Sequence, residues 1–208
     1  MTGRYGKNET ERNITGRSPA DDEGVLVVEA LLAAGSDMNK PDQYRLCPLH
    51  HAAMRGNIRV VECLASKTGI TLDVTDDQNT TPLQIAATYG NKEVVRTLLE
   101  KGARVNVKDY QKQTVLHRAA KEGNHEIVDI ILDHLILAGN EEGEECDGDS
   151  EIKTLMTEED TDGNTPLMLA VLSGTSEAIK IFIEKGNSGS YIRKRNNDVE
   201  YPLHLACR

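Results

Sequence analysis

The sequence predicts an all-α solenoid built from repeated pairs of short helices. The clearest copy of the pair occupies residues 80–109, where Thr81 and Pro82 give a helix start, with a hydroxyl cap before a proline at the first helical position. Gly90 marks the turn between the two helices, and Gly102 is the left-handed cap that ends the second one. Apolar residues recur at helical spacing in both helices. One such pair cannot bury its apolar face alone, so the pattern requires copies on either side.

The opening of this pair occurs five times in the chain. The copies begin at Pro48, Pro82, Val115, Pro166 and Pro202, which are 34, 33, 51 and 36 residues apart. The length of 208 residues therefore reflects how many repeats the chain contains, instead of how many separate domains it forms. One Phe and no Trp are present, which suits a core of Leu, Ile, Val and Ala.

In its period and its motif, the opening resembles the ankyrin repeat, whose period is about 33 residues and whose signature includes Thr-Pro-Leu-His-x-Ala. The resemblance extends over residues 25–208 with one long interruption. It implies an ankyrin-repeat solenoid, in which helix-turn-helix pairs are joined by β-hairpin-like loops along one edge. The loop tips and inner helices of such a stack form a concave binding surface.

Composition and repeat register divide the chain into eight parts. In chain order they are a disordered lead-in (1–24), a partial repeat (25–41), three complete repeats (42–75, 76–108 and 109–139), an acidic insertion (140–159), a fourth complete repeat (160–195) and a truncated repeat (196–208). We number the repeats one to six, starting with the partial one.

Repeat one matches only the second helix of a pair. The lead-in before it is polar and shows no helical apolar pattern, which predicts disorder. Val28 and Leu32 fit an outer helix, whereas the register places Pro19 within the inner helix, where a proline would break it. We therefore expect the first pair of helices to be incomplete.

The outer helices of repeats two and four depart from the pattern at their ends. The helix of repeat two is expected to end at Gly69, one residue late. The helix of repeat four is expected to reach about Leu137, because its closing glycine, Gly139, comes four residues late.

The acidic insertion begins with residues 140–151, which are too acidic and too rich in glycine to pack and are predicted to form a disordered loop. Ile152, Leu155 and Met156 follow, and we expect them to dock on the stack. Residues 141–160 carry ten acidic side chains and one Lys, so they account for nearly all of the net charge of −10. No broad basic face remains, which argues against a nucleic-acid partner.

Repeats five and six close the sequence. Asp162 and Gly163 supply the turn of repeat five. Repeat six opens at Pro202 and stops inside its first helix, which leaves Leu203 and Leu205 in need of a second helix to cover them. Because terminal repeats normally turn a polar face outward, we expect the chain to be a fragment of a longer array.

Three histidines share one place in the repeat. His50, His117 and His204 occupy it, while repeats three and five carry Gln84 and Met168 there. The resemblance implies that this histidine is structural and bonds the threonine and the adjacent loop backbone. A metal-binding or catalytic row would not tolerate the two replacements, so we predict a structural role.

The acidic runs and the cysteines also give no sign of a metal-binding or catalytic site. The acidic runs at 147–151 and 160–164 lack the glycine and final glutamate of a calcium-binding EF-hand. The four cysteines contain no C-x-x-C pair; Cys63 and Cys207 are expected in the core, and the exposed Cys146 is assigned no role. We therefore predict no catalytic residue, no cofactor and no metal site.

The predicted function is protein–protein recognition by a non-catalytic scaffold or adaptor segment. The protein partner should bind the concave face, through loop tips and inner-helix residues at matching places in successive repeats. These candidate residues are Tyr44, Met54, Arg55, Asp77, Gln78, Thr88, Tyr89, Tyr110, Gln111, Lys121 and Glu122. Three of them are tyrosines, a residue type enriched in binding hot spots.

A second hypothesis places the chain in a membrane channel. The long array with an irregular acidic insertion resembles the cytoplasmic N-terminal region of transient receptor potential ankyrin-type cation channels, whose pore would lie beyond Arg208. The sequence contains no signal peptide and no apolar run of about 20 residues. We therefore expect a cytoplasmic location and no membrane segment within this chain.

Overall fold

The computed structural model describes residues 19–141, 148–186, 189 and 191–208. Within them it contains eleven α-helices, one short 3-10 helix and no β-strand, so the predicted all-α fold is confirmed. In chain order the α-helices are α1 (Pro19–Ala33), α2 (Pro48–Arg55), α3 (Ile58–Ala65), α4 (Pro82–Thr88), α5 (Lys92–Glu100), α6 (Val115–Lys121), α7 (His125–Glu141), α8 (Gly148–Thr157), α9 (Pro166–Leu172), α10 (Ser176–Lys185) and α11 (Pro202–Ala206). The 3-10 helix is Tyr191–Arg193.

The helices form two layers. The inner layer consists of α2, α4, α6, α9 and α11, and each of these packs against the next in that series. The outer layer consists of α1, α3, α5, α7 and α10, which pack in the same way. Buried residues of both layers join into one continuous hydrophobic core. This is the solenoid that the resemblance to ankyrin repeats implies.

Four of the five inner helices begin at a proline that follows a capping residue. At the start of α4, the Gln84 backbone N–H donates to the Thr81 hydroxyl at 3.3 Å, and the Thr81 N–H donates to the Gln84 side chain at 2.9 Å. This capping box pairs two of the backbone donors that a helix start leaves free. Gly56 ends α2 with a φ of 68°, a left-handed conformation that glycine adopts at little cost.

The structure corrects the expected start of repeat one. Helix α1 begins at Pro19, so residues 19–24, which the sequence assigns to a disordered lead-in, are helical. Proline breaks a helix interior but fits the first helical position, where its missing N–H has no partner to lose. Residues 1–18 lie outside the described residues. Val27 and Leu31 on α1 are more than half exposed, whereas the matching residues of α5 are buried.

The structure corrects the predicted ends of two outer helices, α3 and α7. Helix α3 ends at Ala65, well before Gly69, and beyond it the chain tightens into a turn in which the Lys67 N–H donates to the Leu64 carbonyl at 3.0 Å. Helix α7 passes through Gly139 and ends at Glu141. Glycine in a helix interior costs only about 1 kcal/mol relative to alanine, so a packed helix can continue through it.

The second half of the acidic insertion forms α8, which packs against α7 and α9. Ile152, Leu155 and Met156 are buried on this helix, as predicted. The loop expected at 140–151 is correspondingly shorter, because residues 140–141 belong to α7 and residues 148–151 belong to α8. Residues 142–147 lie outside the described residues.

The loops that precede the inner helices share one tight turn. In repeat three, the Asp76 N–H donates to the Thr80 carbonyl at 3.1 Å, and every other turn has the same bond. Neighbouring tips are joined by one further bond, such as that from the Tyr110 N–H to the Gln78 carbonyl at 3.1 Å. The turns begin at Asp42, Asp76, Asp109, Asp160 and Asn196. The loops are thus hairpin-like in hydrogen bonding.

Val199 carries backbone strain in the last turn. The fourth residue of each turn has a positive φ, and Val199 adopts 63° where repeat five has Gly163. A positive φ is sterically unfavourable for a β-branched residue, because its branched Cβ crowds the backbone. Its side chain is also mostly exposed, so it contributes little to the core.

We expect Val199→Gly to raise the free energy of unfolding by about 1 kcal/mol, since a left-handed conformation costs an L residue roughly 1–2 kcal/mol. Urea unfolding of wild type and variant measures the change. The control is Lys112→Gly, at the same place in repeat four. Its free energy of unfolding should rise less, because lysine is unbranched at Cβ. A loss of stability in Val199→Gly would show that the valine side chain stabilises the loop by packing.

Candidate functional site

A groove of about 440 Å³ runs along the loop side of repeats two, three and four. Six of the eleven predicted partner-binding residues line it. They are Met54, Gln78, Thr88, Tyr89, Tyr110 and Gln111. Loop tips and inner-helix residues therefore face one shared space, which we call the concave groove. Tyr89 and Tyr110 expose 58% and 68% of their surface, so their rings are available to a partner.

The other five predicted residues do not line the concave groove. They are Tyr44, Arg55, Asp77, Lys121 and Glu122, and all five are exposed. The Asp77 N–H donates to the Tyr44 carbonyl at 3.4 Å, so these two residues belong to adjoining loop tips. Whether they contact a partner stays a prediction.

Six residues of the groove wall are absent from the predicted set. They are Leu46, Asp76, Thr80, Ile85, Asp109 and Arg118. A signal for Asp76 and Asp109 was present in the sequence, because an aspartate starts four of the five turns. Arg118 had no local signal, since its place in the wall depends on the fold of the neighbouring loop.

The loop aspartates fix the shape of the tips. Asp109 Oδ1 accepts hydrogen bonds from the backbone N–H groups of Gln111 at 2.8 Å and Gln113 at 2.9 Å. Its Oδ2 accepts two more from the Arg118 guanidinium, at 2.9 Å and 2.6 Å. A buried carboxylate is tolerated only when it is paired and hydrogen-bonded in this way. The tip of repeat four is therefore held rigidly.

The structural role predicted for the histidine row is confirmed for His50 and His117. His50 Nδ1 accepts the Cys47 N–H at 3.0 Å, and its Nε2 lies 3.1 Å from the Thr80 carbonyl oxygen in the next loop. His117 Nε2 likewise lies 3.3 Å from the Asn164 carbonyl oxygen. Each ring therefore ties an inner helix to the loop of the next repeat.

Gln84 makes the same bridge with its amide. Its Nε2 donates to the Gln113 carbonyl at 2.8 Å, in the loop of the following repeat. Met168 offers no comparable donor. His204, in the last repeat, accepts the Tyr201 N–H at 3.1 Å and is exposed. In repeats two to four this place therefore holds interchangeable side chains that bridge to the next loop.

Burial lowers the pKa of His50 and of His117, because a buried imidazole is costly to charge. In the unfolded chain both titrate near pH 6.5. Below about pH 6.5 the unfolded state therefore binds protons that the folded state does not, and the stability that the neutral rings contribute is lost as the pH falls towards their lowered pKa values.

We expect the urea midpoint to be lower at about pH 5.5 than at about pH 7.5, and the difference to shrink when His50 and His117 are both replaced by Gln. Gln84 shows that a glutamine can keep the bridge without titrating. Denaturation at the two pH values, with His51→Gln as the control for an exposed histidine, measures this. An unchanged pH dependence in the double variant would contradict it.

The described residues contain neither a metal-binding cluster nor a membrane-spanning helix. No group of three or more His, Cys, Asp or Glu side chains is placed there to hold a metal ion. None of the helices in residues 19–141, 148–186 and 191–208 is both long and apolar enough to cross a membrane.

The structure corrects the predicted places of two cysteines. Cys63 is half-buried and Cys207 is exposed, so neither is the core residue that the sequence suggested. The Cys63 Sγ donates instead to the Glu29 carboxylate at 3.9 Å, at the edge of the contact with α1. Cys47 is buried at the start of α2, and Cys146 lies outside the described residues.

Three family matches cover well over half of the chain. The family described as "Ankyrin repeats (3 copies)" matches residues 20–109. The description "Ankyrin repeat" applies to the matches at residues 111–138 and at residues 162–190.

Curated proteins with a similar sequence include two channels. The Caenorhabditis elegans homolog of transient receptor potential cation channel subfamily A member 1 is 36% identical over 201 residues, which is 90% of this chain and 16% of that protein. The Homo sapiens channel of that name is 27% identical over 184 residues, or 77% of this chain and 16% of the channel.

A further similar protein is the ankyrin repeat protein nuc-2 of Neurospora crassa, 33% identical over 81 residues, or 39% of this chain and 8% of that protein. The chain therefore spans less than a fifth of the length of each of these three relatives.

Proposed function

The chain belongs to the ankyrin-repeat family, and we propose that it is a non-catalytic recognition module that binds a protein partner in the concave groove. The observation that carries the proposal is the groove itself, where Tyr89 and Tyr110 stand exposed at the junction of three repeats. Ankyrin repeats are interaction modules, and solenoids use their concave surface for binding.

The chemistry of the groove suits protein recognition. Tyrosine rings provide a large apolar contact and a hydroxyl with little loss of side-chain freedom on binding. Met54 and Ile85 add apolar surface, while Gln78 and Gln111 add amides at the rim. Such a mixture of apolar anchors and polar rim is typical of protein interfaces.

Rigidity also favours this function. The loop tips on one wall are joined to each other by backbone hydrogen bonds, and Gln84 ties the helix behind them to the next loop. A preformed site loses less conformational entropy when a partner binds.

The test begins with random dodecapeptides displayed on phage and selected on the immobilised chain. Amide hydrogen exchange is then measured with and without the tightest peptide. We expect slower exchange at residues 76–80, 85–89 and 109–113, and no change in α3 and α5 of the outer layer. Slowing that is confined to the outer layer would move the binding site to the other face of the stack.

A second function is favoured by the two channel relatives, whose similarity covers 77% and 90% of this chain. In that case the array is the cytoplasmic N-terminal region of a transient receptor potential ankyrin-type cation channel, on the cytoplasmic side of a membrane. Sequencing the transcript past the codon for Arg208 tests this. Six hydrophobic segments downstream support the channel, and a stop codon directly after Arg208 contradicts it.

A further inference from the structure

The turn aspartates of repeats two to four occupy the same place, yet in the described residues only two of them have a nitrogen-bearing side chain bonded to Oδ2. In repeat two, His51 Nε2 lies 2.9 Å from Asp42 Oδ2. In repeat four, Arg118 bonds Asp109 Oδ2 at 2.6 Å. In both repeats the partner comes from the inner helix, nine residues after the aspartate.

Repeat three breaks this row, because the residue nine places after Asp76 is Ile85. Asp76 Oδ1 accepts the N–H groups of Gln78 at 2.9 Å and Thr80 at 2.7 Å, as in the other turns. Among the described residues, no side chain donates to its Oδ2 and no cation lies within ion-pair distance of it. Asp76 therefore presents one unused carboxylate oxygen.

The remaining turns do not share this feature. Asp160 Oδ2 accepts the side-chain amide of Gln113 at 3.4 Å, and repeat six has the neutral Asn196 at this place. His50, which interacts electrostatically with Asp76, is buried, and burial lowers its pKa. A neutral His50 cannot supply the missing positive charge at neutral pH.

The carboxylate with the unused oxygen belongs to the wall of the concave groove. Asp76 is half-buried and lines the groove together with Tyr89 and Tyr110. A carboxylate beside two exposed aromatic rings is a site for a guanidinium group, which bonds carboxylates through a planar fork and stacks on aromatic faces. Arg118, which also lines the groove, is already bound to Asp109.

We propose that the concave groove receives an arginine side chain of the protein partner, with its guanidinium on Asp76 Oδ2 and between the rings of Tyr89 and Tyr110. The arginine takes the place that Arg118 fills in the next repeat. Its methylene stem lies along Met54 and Ile85, since such stems bury well against apolar surface. This inference rests on the proposed function of the groove.

The probe is the tightest dodecapeptide selected on the wild-type chain. We expect it to contain an arginine whose replacement by glutamine weakens binding at least tenfold. For the Asp76→Asn variant, the same arginine-to-glutamine replacement in the peptide should change the affinity by less than about twofold. The reason is that this variant lacks the carboxylate charge with which the arginine pairs. The four dissociation constants are measured by isothermal titration calorimetry.

Asp76→Asn keeps the Oδ1 that holds the turn. Asn196 already fills this place in repeat six and accepts the Glu200 N–H at 2.8 Å. The matched control is Glu100→Gln, which removes an exposed carboxylate of the same repeat on α5 of the outer layer and should leave the tenfold preference intact. Melting curves of both variants verify that the fold is kept.

The outcomes separate this inference from the proposed function. Groove-bound peptides without an arginine preference overturn the inference and leave the proposed function standing. An arginine preference that persists on Asp76→Asn also overturns it, because the charge would then pair elsewhere. Peptides that protect only the outer helices, or a library that yields no binding peptide, overturn both.

Discussion

Leu155→Ala should lower the free energy of unfolding by about 2–5 kcal/mol, although Leu155 lies in a stretch that interrupts the repeat pattern. Its side chain is 1% exposed and belongs to the continuous core of the stack. Helix α8 places it against α7 and α9, so the truncation removes buried apolar surface and leaves a cavity.

Urea unfolding followed by far-ultraviolet circular dichroism measures this loss. Leu137→Ala is the matched control, because Leu137 on α7 is 65% exposed and its truncation should change stability by no more than about 0.5 kcal/mol. Equal stabilities for wild type and Leu155→Ala would show that α8 is not part of the core.

The repeats themselves could be predicted because their signals are local. Thr81 and Pro82 specify a helix start whatever surrounds them, and the glycine at 90 specifies the turn after it. The bridging role of His50 was also predictable, since its place recurs in each repeat. Repetition lets one copy explain another, which is why the fold class was predicted correctly.

Departures from the pattern were harder to predict because they depend on packing between distant residues. The glycine at 139 suggests a helix end, yet α7 continues through it to Glu141. The acidic residues near Asp149 suggest a loop, yet α8 gains enough burial from Leu155 and Met156 to form a helix. In both segments tertiary contacts outweigh local propensity.

The candidate site was predictable only in part for a similar reason. Exposed places such as Tyr89 and Tyr110 follow from the repeat register. The missing side-chain partner of Asp76 follows from a comparison of three folded loops, in which Arg118 and His51 fill the equivalent places. Nothing local to Asp76 distinguishes it from its counterparts, so sequence reasoning did not include it.

The double variant Tyr89→Ala with Tyr110→Ala tests whether the concave groove is the partner-binding surface. Both rings line the groove and are more than half exposed, so their loss should remove binding contacts without removing core. We expect binding of the selected dodecapeptide to weaken by about 2 kcal/mol or more, which is roughly 30-fold.

The measurement is the dissociation constant of that peptide for wild type, double variant and Tyr201→Ala, taken beside their melting curves. Tyr201 is an exposed tyrosine in repeat six, outside the groove, and its replacement should leave the affinity unchanged. We expect a loss of affinity of about 30-fold for the double variant alone, with its melting temperature unchanged. An unchanged affinity, or a loss of affinity matched by a loss of stability, would contradict it.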